Sequence, residues 1–111
     1  MINRLDHMVL TVADIEKTCD FYRQLLKLEV ITFGDNRKAL RVGDQKINLH
    51  KSGSELFPCA HTPTPGSADL CFISDTPITE ILSQLSEAEV PVELGPVKRT
   101  GVFGPMTSLY I

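Results

Sequence analysis

His7, Asn48, His50 and Asp69 are residues whose types and spacing could do chemistry in this chain. His7 lies in an alternating run from Leu5 to Leu10 and shares a face with Leu5 and Val9. Asn48 and His50 stand two apart at the end of a similar run, so they share a face and leave the other to Ile47 and Leu49. Asp69 opens a third run, ADLCFIS, on the face of Cys71 and Ile73. Two imidazoles and a carboxylate suit zinc, nickel, manganese or iron, and leave positions for water or substrate. The neutral amide of Asn48 is a poor metal ligand but can orient a substrate oxygen. Each residue also has a plainer reading: a satisfied strand histidine for His7, a hydrogen-bonded strand end for Asp69, and a solvent-facing strand for Asn48 and His50. No HxxxH, CxxC or HExxH spacing adds weight to a metal.

The remaining reactive groups are more scattered. His61 lies in a loop segment, and Lys98 and Arg99 precede a glycine-containing run where they can meet a small anion or simply water. With Asn48, these form the candidate substrate-binding set. Cys19 falls on a helical apolar stripe and reads as a small core residue, while Cys59 and Cys71 have no basic neighbour to activate them. Neither a GxSxG elbow nor a P-loop is present.

Positioning these groups is the task of a repeated plan. The stretch RLDHMVLTVADIEKTCDFYRQLL passes from period 2 to period 3.6. Asp14 is placed to cap a helix whose stripe is Ile15, Thr18, Cys19, Tyr22, Leu25 and Leu26. Strands are expected over 28–33, 38–42 and 45–50, joined by turns at Gly34-Asp35-Asn36 and Gly43-Asp44, which makes an antiparallel meander. Residues 51–66 carry prolines, glycines and hydroxyls and read as a linker. A strand at 68–74 then leads to a helix at 77–88, with Thr76 as its cap and Pro77 in its first turn. A short edge strand at 90–94, a long loop through GPVKRTGVFGP and a closing strand at 106–111 complete the pattern. The fold class is α+β: module one over 4–50, the linker over 51–66, and module two over 67–111, one strand short of the first.

Bulk properties narrow the partners. A chain of 111 residues with net charge −3 and pI ≈ 5.5 has no electrostatic basis for nucleic acid or an anionic membrane surface. Three cysteines without paired spacing fit a reducing, cytoplasmic setting. No apolar run is long enough to span a membrane, and MINRLD has no signal-peptide core.

The segment RLDHMVLTVADIEKTCDFYRQLLKLEV resembles the opening of the vicinal oxygen chelate superfamily, which includes glyoxalases, bleomycin-resistance proteins and extradiol dioxygenases. The marks are His7 in an L-D-H-x-V strand, Val12 to Asp14, Phe21-Tyr22 and the run from Leu25 to Val30. RKALRVGDQKINLH, PGSADLCFIS, VPVELGPVKRTG and MTSLYI extend the likeness over nearly the whole chain, most closely to the glyoxalase domain-containing protein 5 group. The resemblance implies paired βαβββ modules curling into a cup-shaped mixed sheet. It implies a homodimer, and a strand past Ile111 that bears a final glutamate ligand, so the chain reads as truncated before that strand. It matches His7 to a metal position, with His50 and Asp69 as companions. Two classes of function follow. One is a divalent-metal-dependent lyase, isomerase or dioxygenase acting on a small oxygen-rich substrate. The other is a non-catalytic small-molecule-binding module, or a structural paralogue, of the same fold.

Overall fold

A computed structural model describes residues 1–111 and divides into two compact units, Met1–Leu70 and Cys71–Ile111. The fold is mixed α+β, as the periodicity implies.

The first unit contains β1 (His7–Val12), α1 (Ile15–Gln24), β2 (Glu29–Phe33), β3 (Arg37–Val42) and β4 (Gln45–Lys51). Helix α1 starts where expected because the Asp14 carboxylate accepts a hydrogen bond from the Lys17 N–H at 2.9 Å, satisfying one orphan donor of the first turn. It ends two residues short of the end of the apolar stripe. Lys27 enters the left-handed region at φ 59°, and the Leu28 N–H reaches back to the Tyr22 carbonyl at 3.0 Å. Strands β2, β3 and β4 form the antiparallel meander dictated by their short turns. Strand β1 adds to β4 in parallel, giving the order β1-β4-β3-β2.

Alternation divides this sheet cleanly. Met8, Leu10, Val12, Val30, Leu40, Ile47 and Leu49 point to the α1 side and pack with Ile15, Cys19 and Tyr22. Leu40 and Cys19 are the largest fully buried side chains, so this layer is the hydrophobic core of the unit. Every paired position on the opposite face follows from the register. His7 stands beside Lys46, Val9 beside Asn48 and Thr11 beside His50. Asn48 in turn faces Ala39, which faces Ile31.

The second half departs from the sequence reading in four places. The edge strand expected at 90–94 is absent except at Leu94, which opens a later strand. The strand expected over 68–74 does not form either. In the first unit the opening strand is held by the fourth, and the second unit contains no corresponding fourth strand to pair with. Thr76 does not cap α2 (Ile78–Glu87): Pro77 occupies the cap position without a side-chain bond, and the Thr76 N–H donates to the Ser74 hydroxyl instead. The last difference is the largest. GPVKRTGVFGP, expected as a loop, is most of a hairpin between β5 (Leu94–Gly101) and β6 (Gly104–Tyr110), turning at Val102-Phe103. A register shift lies between Leu94 and Val97, where Gly95 holds φ +116°. A Cβ there would come within 2.5 Å of the Ser108 carbonyl oxygen, so only glycine permits the approach. No helix is long and apolar enough to cross a membrane.

Candidate functional site

The sheet face opposite α1 gathers most of the chemistry of the first unit. Its central positions are closed off: Asn48 is 6% exposed and His50 4%. Burial of polar side chains demands partners. Here three buried polar atoms have none: Arg37 Nε, Asn48 Oδ1 and His50 Nδ1. Leaving such a group unpaired costs about 1–3 kcal/mol.

Two of these residues, Arg37 and His50, also line an opening. A cleft of about 270 Å³ lies at the end of the sheet where β4 finishes, α1 begins and the β2–β3 turn returns. Arg37, Lys38, His50 and Lys51 contribute its basic and imidazole groups, and Glu16 is the acid among its lining residues. Ile15, Leu49 and Leu56 supply apolar wall. The Arg37 guanidinium stacks over the Phe33 ring at 4.7 Å, and the Lys46 ammonium lies over the same ring at 4.0 Å. Lys38 donates to the Thr32 hydroxyl at 2.8 Å.

The expected metal set is dispersed. His7 is exposed at the start of β1, and its Nδ1 lies 2.8 Å from Asp6 Oδ2. That contact and the His7 charge hold the Asp6 carboxyl below its ordinary value. His50 pairs with Thr11, four residues along from His7. At about 3.3 Å per residue this offset is about 13 Å, too far for two ligands of one ion as the side chains stand. Asp69 is exposed on a segment without strand pairing. No group of three His, Cys, Asp or Glu side chains is placed to hold one ion. A divalent metal of the kind the fold family uses therefore does not fit this set in its present arrangement.

The proposed substrate-binding residues also part company. Asn48 is buried beside His50, whereas His61 is exposed in the linker with its Nδ1 3.3 Å from the Thr62 hydroxyl. Lys98 and Arg99 are neighbours on β5 and so point to opposite faces. Arg99 is already engaged: its Nε donates to the Tyr110 hydroxyl at 3.0 Å, and its guanidinium lies 5.5 Å from that ring. Arg37 was missed by sequence reasoning. The signal was available, since it stands opposite Phe33 across a three-residue turn and two positions before Ala39.

Comparison with known proteins bears on this arrangement. The model of the Glyoxalase/Bleomycin resistance protein/Dioxygenase superfamily matches residues 4–102. Virulence protein STM3117 of Salmonella typhimurium is 51% identical over 111 residues, covering all of this chain and 77% of that protein. Its crystal structure superposes with a TM-score of 0.96 over 100% of this chain and 88% of that one. Glyoxalase domain-containing protein RDO1 of Mycosarcoma maydis is 48% identical over 110 residues, which is 99% of this chain and 62% of that protein. An integron cassette protein from V. cholerae, VCH_CASS1, is 48% identical with a TM-score of 0.94, covering 98% of this chain and 85% of that one. The strand carrying His7, the helix capped by Asp14 and the meander that buries Asn48 and His50 all fall within the matched stretch, and the chain belongs to the glyoxalase/bleomycin resistance protein/dioxygenase superfamily.

Proposed function

We propose that this chain is a small-molecule-binding domain that takes an oxygen-rich ligand into the cleft beside His50. The observation that carries the reading is the lining of that cleft, which sets Arg37, Lys38, His50 and Lys51 around an opening of about 270 Å³. These residues offer hydrogen-bond donors to a ligand with hydroxyl and carbonyl oxygens. The apolar wall of Ile15, Leu49 and Leu56 suits a short carbon skeleton. The test is an NMR screen of small hydroxy acids and keto compounds against ¹⁵N-labelled protein. Ligands should shift the signals of residues 36–38 and 49–51 and leave those of α1 after Cys19 unmoved. If none perturbs the cleft at millimolar concentration, the reading is wrong.

A second reading, turnover as a lyase, isomerase or dioxygenase, is favoured by the Asp6–His7 contact. A carboxylate on Nδ1 orients the imidazole, an arrangement used both for proton transfer and for metal ligation. Elemental analysis, followed by titration with zinc, nickel and manganese before and after His7→Ala, tests its metal form. Binding that survives the substitution unchanged would remove His7 from the site.

A further inference from the structure

We infer that Lys46 is a two-position strap across the sheet face opposite α1. With its ammonium on the Phe33 ring, its stem covers Ala39 and Asn48; with the ammonium on the Asp6 carboxylate, that centre opens. The strap lies on the sheet face and not at the cleft, so it holds whether or not the cleft takes a ligand. The register draws its path. Lys46 on β4 pairs with Arg41, and Phe33 on β2 pairs with Arg37, so β3 lies between them. Arg37, Ala39 and Arg41 share one face of β3, and a line from Lys46 to Phe33 passes over Ala39. The ammonium completes that line, 4.0 Å from the ring centroid. Burial follows the same path. Val9, Asn48 and Ala39 form one row across β1, β4 and β3, and they are 41%, 6% and 0% exposed. The same sheet lies beneath all three, so side chains close its centre, and an aliphatic lysine stem covers such surface well.

The second position is adjacent. The Lys46 N–H donates to the Asp6 carbonyl at 3.3 Å, and Lys46 lines a depression of about 240 Å³ together with Asp6 and Asp44. The Asp6 carboxyl is held below its ordinary value first by the His7 hydrogen bond, and the Lys46 charge adds to the effect. Opposing contributions keep the two positions close in free energy. The cation–ring contact favours closing. Closing also keeps the Asn48 carboxamide oxygen buried without a partner, a cost of the same order. An exposed ion pair with Asp6 adds a little in favour of opening. A solute therefore reaches Asn48 only while Lys46 is turned back.

The experiment adds a neutral gadolinium chelate to the ¹³C,¹⁵N-labelled full chain and reads relaxation enhancement at the Asn48 side-chain amide. The ring-current shift of the Lys46 ε-methylene is recorded alongside. Lys46→Ala and Phe33→Leu should each raise the enhancement at Asn48 several-fold. Leu40, on the α1 side of the sheet, should stay as sheltered as before and so report an intact fold. Arg41→Ala should leave Asn48 sheltered, because the Arg41 side chain lies off the path and donates to the Gly43 carbonyl. Asp6→Asn removes the charge of the second position and should deepen the upfield shift of the Lys46 methylene. Asn48 as sheltered in Lys46→Ala or in folded Phe33→Leu as in the original chain overturns the strap, and so does its exposure in Arg41→Ala. A methylene without a ring-current shift overturns the closed position, and one that Asp6→Asn leaves unmoved overturns the open one.

Discussion

Asn48 is a buried polar side chain that stability alone would not select. Its carboxamide oxygen is buried without a partner, so the empty protein bears a desolvation cost that a leucine of similar volume avoids. Asn48→Leu should therefore raise stability by about 1 kcal/mol in denaturant melts. A lower midpoint for the variant would mean that the oxygen is satisfied in solution. Asp6 offers an independent check on the geometry of His7. The hydrogen bond and the positive charge of His7, with smaller contributions from Arg4 and Lys46, hold the carboxyl below its ordinary value of 3.8. A carboxyl lowered in the folded state stabilises the fold above its unfolded value and ceases to do so as pH falls through the folded one. Carbon-detected titration should place the Asp6 midpoint under 3.8 and return it upward in His7→Ala. An unmoved midpoint would show that the two side chains do not meet.

Among the elements, α1 ends on a lysine where glycine is preferred. Lys27 adopts φ 59°, a conformation that costs a side chain about 1 kcal/mol. Lys27→Gly should stabilise the chain by up to about 1 kcal/mol in chemical denaturation, and a loss of stability would show that the lysine stem packs usefully. The elements of the first unit were legible because each local signal agreed with its neighbours: Asp14 before an apolar stripe, and Gly34, Asn36 and Gly43 between alternating runs. Those of the second were less so. Pro96, Gly95, Gly101 and Gly104 look like loop punctuation, yet the glycines serve a register shift and a tight hairpin. Residues 71–74 have strand composition, but composition cannot supply a hydrogen-bonding neighbour. The candidate site was half legible. Alternation placed Asn48 and His50 on one face, whereas their burial, the empty valences beside them and the stacking of Arg37 on Phe33 depend on three strands meeting.

At the scale of the whole molecule, the main apolar cluster lies in the first unit, and α1 brings two ionisable groups to it. Burial pushes the Cys19 thiol above its ordinary 9.0 and the Tyr22 phenol above its ordinary 10.0, with Glu16 adding to the effect at Cys19. Both stay neutral in the fold and ionise more readily once unfolded. Their stabilisation is complete below those ordinary values and is lost as pH rises through the folded ones. Thermal midpoints should fall above about pH 9, and Cys19→Ala should flatten the first part of that fall. The parallel partnership of β1 with β4 has a different consequence, one of time. The meander from Glu29 to Lys51 joins near neighbours through short turns, whereas His7 meets Lys46 only after α1 and two strands have been brought past. Closing that long segment costs chain entropy before any contact repays it, so β1 should dock after the fastest-forming structure is in place. Stopped-flow measurements should then separate two core truncations: Leu40→Ala should slow refolding, while Leu10→Ala should chiefly hasten unfolding. The first strand of the sequence would be the last of its sheet to arrive.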